Sequence, residues 1–129
     1  MDLESDFLAA ADTLLQAHHL YKAGLVDVAP RLADDAVELT LKTLIPLPKE
    51  LRGGRGRVVP AIRQYAYRRE QAVTRFGIAK SDLSRLHSLR LVDRFREKSD
   101  GTRRLLTDEE ARWALKTADQ ILRVLINAP

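Results

Sequence analysis

The stretch QAVTRFGIAKSDLSRLH, residues 71–87, admits two readings that lead to different folds. In the first, a helix ends near Phe76, Gly77 makes the turn, and Ser81 opens a second helix. Ala72, Val73, Gly77, Ile78 and Leu83 then occupy the small, glycine and aliphatic positions of a helix-turn-helix. Lys80, Ser81, Asp82, Ser84 and Arg85 would face the major groove of DNA, and RLVDRFREKSDGTRRLLT (90–107) would form a β-wing. Only five residues separate Ser84–Arg85 from Leu91–Val92, so the recognition helix and the wing strand compete for the same backbone. In the second reading, the same letters are the junction of two helices in a bundle.

The rest of the chain is helical in pattern. A first helix spans Leu3–Ala23, with Leu3, Phe7, Ala10, Ala11, Leu14, Leu15 and Tyr21 inward and Gly24 as its stop. Asp27 is placed to cap a second, in which Pro30 falls in the first turn, where no intrahelical N–H is lost. Its apolar set is Leu32, Ala36, Val37, Leu39, Leu41 and Leu44. Glu38 and Lys42 are in favourable order for an i,i+4 pair, Asp34 and Asp35 read as solubilising, and PLP (46–48) ends the helix. A loop, PKELRGGRGRVVP (48–60), follows. A third helix covers Val59–Phe76 and packs through Ile62, Ala66, Ala72, Val73 and Phe76. A fourth runs from Lys80 or Ser81 to about Arg96, KSDG (98–101) is a turn, and TDEE (107–110) is a capping box for the last. The expected fold is all-α: a four- to five-helix up-and-down bundle, a single domain over residues 1–129.

Charge is unevenly spread. Residues 49–104 hold 16 Lys and Arg against 6 Asp and Glu, whereas the remainder holds 6 against 12. Thirteen of those sixteen cations are Arg, whose planar fork suits phosphate. Such a basic middle on an acidic frame points to a polyanion, RNA or DNA. The Gly/Arg loop with Arg52, Arg55 and Arg57 reads as a basic arm, or as a plain flexible connection. It lacks the Gly-x-x-x-x-Gly-Lys-Ser/Thr pattern of a nucleotide loop. The third helix adds Arg63, Arg68 and Arg69.

Catalytic signals are thin. There is no cysteine, so disulfides and thiol chemistry are excluded. His18 and His19 are adjacent and face different directions on a helix, and His87 stands alone, as packing or surface histidines do. No metal signature, cofactor motif or membrane-spanning run is present, and a cytoplasmic protein is expected.

LADDAVELTLKTL (32–44) resembles the second helix of the HEPN family of small helical domains. DLSRLHSLRLVDRFREKSDGTRRLLTDEEARWALKTADQILRVL (82–125) resembles that family's closing helices. The resemblance covers about 1–45 and 80–127, in order. It implies an up-and-down bundle, usually a homodimer, tied to RNA metabolism, toxin–antitoxin pairs or defence. Active members are metal-independent ribonucleases that use an Arg followed, after a short spacer, by a His. Here the eligible positions hold Phe95, Arg96 and Glu97 after Arg90, and Ser99, Asp100 and Gly101 after Arg94. The resemblance therefore implies a non-catalytic member in which Arg90, Arg94 and Arg96 hold phosphate without cutting. A sequence-specific regulator and a helical adaptor meeting a partner protein are the other readings.

Overall fold

The computed structural model describes residues 3–54, 56–90 and 106–127. They form five helices: α1 (Leu3–Lys22), α2 (Val28–Leu44), α3 (Ala61–Phe76), α4 (Lys80–Arg90) and α5 (Asp108–Ile126). Among the described residues there is no strand, only an isolated bridge between Gly54 and Arg57. The all-α bundle expected from periodicity is what is found. The later part of the fourth helix beyond Arg90, the KSDG turn and the wing segment up to Leu105 lie outside the described residues.

α2 is the central rod. It packs against α1, α5, α4 and, more lightly, α3. Its buried stripe is Ala29, Pro30, Ala33, Asp34, Ala36, Val37, Thr40 and Leu41. The Thr40 hydroxyl is buried and donates to the Ala36 carbonyl at 2.9 Å, which satisfies it within its own helix. Alanine dominates the contact layers: Ala10, Ala17, Ala29, Ala33, Ala36, Ala111, Ala114 and Ala118 are all fully buried. Larger residues, Leu41, Ile45, Leu83, Leu86 and Leu125, fill the space where α4 and α5 meet α2.

Several details depart from the sequence pattern. On α1 the buried line is Ala10, Leu14 and Ala17, while Leu15 is 52% exposed and Ala11 faces solvent. Leu15 stands about 100° round the helix from Leu14, and α1 buries only a narrow line, so the turn that points Leu14 inward leaves Leu15 outside it. Asp27 has helical dihedrals and its side chain makes no capping hydrogen bond, so it begins α2 without capping it. α3 buries only Ala72, and Ile62 is 69% exposed. By contrast, the Thr107–Glu110 capping box is present: the Thr107 oxygen accepts from the Glu110 N–H at 3.1 Å, and Glu110 returns a bond to the Thr107 N–H at 3.0 Å. Such a cap is worth ~1 kcal/mol.

The α3–α4 junction is set by Gly77, whose φ of +70° lies in the left-handed region that only glycine enters without strain. Its N–H and that of Ile78 return to carbonyls of Val73 and Ala72, closing α3. Ile78 and Leu83 are buried, which seats α4 on α2.

Candidate functional site

Asp34 is the residue around which three helices are arranged. It lies on the core stripe of α2 and is 1% exposed, so it is an interior carboxylate and not a solubilising one. A buried charge must be paired, and cations arrive from two other helices. Arg90 of α4 donates through Nη1 to Asp34 Oδ2 at 3.1 Å and to Asp35 Oδ1 at 2.6 Å. Arg69 of α3 places Nη2 3.7 Å from Asp34 Oδ1 and Nε 3.8 Å from Glu38 Oε1. The Arg69 fork also donates to the Leu83 carbonyl at 2.9 Å, tying α3 to α4. His87, one turn before Arg90, holds Nδ1 3.5 Å from Asp34 Oδ2.

Tyr65 completes the cluster. Its ring lies beneath the Arg69 guanidinium at 3.9 Å and beside the His87 ring, centroids 4.7 Å apart. Side-chain exposure rises from 1% at Asp34 through 14% at Arg69 to 33% at His87, so the cluster reaches the surface along α4. Beside it α3 and α4 enclose a groove of about 620 Å³ lined by Ile62, Tyr65, Ala66, Arg69, Val73 and Leu83, among others.

The electrostatics are those of an acid excess. Asp34, Asp35 and Glu38 bring three carboxyl groups, against two guanidiniums from Arg69 and Arg90. Glu38 absorbs the imbalance. Burial, and then the neighbouring Asp34, push its carboxyl up to about 7, although Arg69, Lys42 and Arg90 pull the other way. Burial lowers the Arg69 guanidinium against the pull of Asp34 and Glu38. At Arg90 burial also works downward, but the bonds to Asp34 and Asp35 outweigh it and hold the charge more firmly. Five buried polar atoms, on Asp34, Glu38, Tyr65, Arg69 and His87, have no hydrogen-bond partner. Their contacts are ion-pair and ring contacts at slightly longer range.

The arginines singled out in the sequence divide into two groups. Arg68, Arg69 and Arg90 are committed to the fold: Arg68 Nε donates to the Ile45 carbonyl at 3.1 Å, and the other two hold the cluster. Arg52, Arg57 and Arg63 are exposed, as is Lys49, on the loop and the first turn of α3. There the 3-10 turn Lys49–Leu51 is tied to α3 by the Gln64 amide, which donates to the Leu51 carbonyl at 2.9 Å. Arg57 Nη1 donates to the Lys49 carbonyl and Arg52 Nε to that of Leu47, which fixes both stems and leaves further N–H groups outward. Arg55, Arg94 and Arg96 lie outside the described residues.

On α4, Lys80, Ser81 and Ser84 are exposed and Asp82 half-buried, while Arg85 lies over the Trp113 ring of α5 at 4.1 Å. A second contact joins α1 to α5, where His18 Nε2 meets both Asp119 oxygens at 3.1 and 3.2 Å. Glu38 turns to Arg69 and forms no close pair with Lys42. Among the described residues no group of acidic or histidine side chains has the arrangement of a metal site, and no helix is long and apolar enough to cross a membrane.

No protein-family model, curated protein or solved structure matches the chain.

Proposed function

We propose that this protein is a non-catalytic, HEPN-like helical module that binds the backbone of a nucleic acid, RNA foremost. The observation that carries the reading is the run of exposed cations Lys49, Arg52, Arg57 and Arg63 on one segment of the chain. Three exposed cations stand on the glycine-rich segment and Arg63 in the first turn of α3, to which the Gln64 amide ties the Leu51 carbonyl. Phosphate contacts of this kind position a strand without reading its sequence. The HEPN-like character draws support from the α2-centred bundle and from Arg90 of α4 sitting on the α2 carboxylates. With Arg90 engaged by Asp34 and Asp35, and His87 facing Asp34, the chain presents a braced cluster, and its sequence holds no His at the family's spacing after Arg90.

Binding of mixed-sequence single-stranded RNA should weaken with salt at a slope of about −0.7 per phosphate contact. The triple variant Arg52→Ala/Arg57→Ala/Arg63→Ala is expected to flatten that slope by about 2. The loss should be the same for every sequence, and labelled RNA should remain uncut. Cleavage abolished by His87→Ala would instead make the His87–Arg90 pair an active centre.

One observation favours the helix-turn-helix reading. Gly77 has the left-handed turn conformation, Ala72, Ile78, Leu83 and Leu86 are buried, and Lys80, Ser81 and Ser84 are exposed. Sequence-selective duplex binding, lost on Lys80→Ala/Ser84→Ala and indifferent to the loop arginines, would establish that reading. Absence of any binding at low salt would remove both and leave a module that meets a partner protein, as a toxin–antitoxin or defence accessory or an adaptor.

A further inference from the structure

α3 is attached to the bundle differently from its neighbours. The eleven residues of α4 bury Leu83, Leu86 and Leu89, whereas the sixteen of α3 bury Ala72 alone, with Tyr67, Val73 and Phe76 half-buried. Its contacts with α2 and α4 are lighter than those that join α2 to α1, α4 and α5. Between α3 and α4 the groove of about 620 Å³ takes the place of an interdigitated apolar contact. What holds α3 down is polar. Arg68 reaches the Ile45 carbonyl, and Arg69 reaches the Leu83 carbonyl and the carboxylates of α2. The carboxylate contacts of Arg69, at 3.7 and 3.8 Å, are longer than hydrogen bonds. Glu38 Oε1 and Arg69 Nε are both buried there without a hydrogen-bond partner. Water satisfies such atoms once the helices part, so their burial opposes the docked state.

The seat is also sensitive to protons. Glu38 is faced by Asp34 and Lys42 from its own helix, by Arg68 and Arg69 from α3 and by Arg90 from α4. Asp35 on Arg90 and His87 on Asp34 complete the surroundings. Burial and then Asp34 outweigh the cations, so the Glu38 carboxyl holds its proton more tightly in this seat than in water. Arg69 is the α3 group that lies over Glu38, and its departure opens that carboxyl to water. The released form therefore gives up the proton first, and a rise in pH through neutrality favours release. We infer that α3 is a latched helix: it leaves α2 and α4 as a unit, pivoting at Gly77, while the other four helices stay packed, and the seat of Arg69 between Asp34 and Glu38 is a latch that loosens as the solution becomes alkaline. Release frees the Arg68 and Arg69 forks and uncovers the carboxylates of α2, so one movement changes the charge that two helices present. The inference does not depend on what the exposed cations of the loop bind.

Hydrogen exchange of the full chain from pH 6 to pH 8, divided by the intrinsic rate at each pH, reads the opening helix by helix. Amides of α3 are expected to be about a hundred-fold less protected than those of α2 and α5. Their opening should increase about tenfold across that range, the ratio that follows when a carboxyl titrating near neutrality returns to its ordinary value on release. Glu38→Gln should flatten this pH dependence while the difference between helices remains. A second measurement uses the absence of cysteine: Ala72→Cys, on the docked side of α3, should react with a thiol reagent at pH 8 under conditions that leave Ala114→Cys of α5 protected. Protection of α3 equal to that of α2 and α5 overturns the release. An α3 opening that is the same at pH 6 and pH 8, or whose pH dependence survives in Glu38→Gln, overturns the latch.

Discussion

Replacing Arg69 by methionine is expected to lower the unfolding free energy by about 3 kcal/mol, a loss of roughly 10 °C in melting temperature for a chain of this size. The methionine keeps an unbranched apolar side chain at this position and removes the fork that lies over Tyr65 and faces Asp34, Glu38 and the Leu83 carbonyl. Asp34 is then left almost fully buried with Arg90 as its close cationic partner. Stranding a buried charge is what makes such a change expensive, far more than the net worth of the original pair. Adding Asp34→Asn should therefore restore much of the loss, because the stranded charge is gone. Arg90→Met should cost less than Arg69→Met, since Arg90 and its partner Asp35 are 29% and 40% exposed and water can replace part of the interaction. Thermal or urea unfolding of the four chains decides the matter. If Arg69→Met melts with the wild type, the cluster is effectively solvated.

The second large effect is on pH. Glu38 takes up its proton in the folded chain near pH 7, against an ordinary value of 4.5. Between those limits the folded state holds a proton that the unfolded state has released, so stability falls as pH rises. The Glu38 contribution is complete below about pH 4.5, drains through pH 7 and is gone above it, amounting to up to about 3 kcal/mol. Glu38→Gln fixes the uncharged form. Its stability relative to wild type should increase from pH 5 to pH 8, with the variant the more stable at the alkaline end. Parallel curves for the two chains across that range would show that Glu38 is hydrated and that the acid excess is balanced elsewhere.

Much of the fold can be read from periodicity because most helices here have one apolar stripe and a clear stop. Gly24, the PLP segment, Gly77 and the TDEE box are local signals, and local signals survive folding unchanged. The site is different. Asp34 lies between Ala33 and Ala36 in the middle of the α2 stripe, and a carboxylate there announces that cations must come to meet it. Read as one of two adjacent acids, it looks solvated. Only its helical phase, shared with Pro30, Val37 and Leu41, reveals the burial. The partners are less legible still. Arg69 and Arg90 are two among thirteen arginines in a basic stretch, and nothing local distinguishes them from Arg63, which is exposed. His87 precedes Arg90 on the same helix, so a search for a histidine after the arginine passes over it. α3 misleads for a related reason: its apolar residues have helical spacing, but tertiary contacts bury only Ala72 and leave Ile62 on the rim of a groove.

The alanine layers between α1, α2 and α5 bear on how this protein responds to temperature. Among the described residues, nine of the twenty-two buried apolar ones are alanine, and none is aromatic. Alanine lets helix axes approach closely but removes little hydrocarbon from water, and it is apolar exposure that raises the heat capacity on unfolding. A bundle that gains cohesion from close backbone approach therefore has a smaller heat-capacity increment than a leucine-filled one of equal length. Its stability curve is correspondingly flatter: a broad, shallow dome in which cooling takes away little and the margin against unfolding changes slowly across the working range.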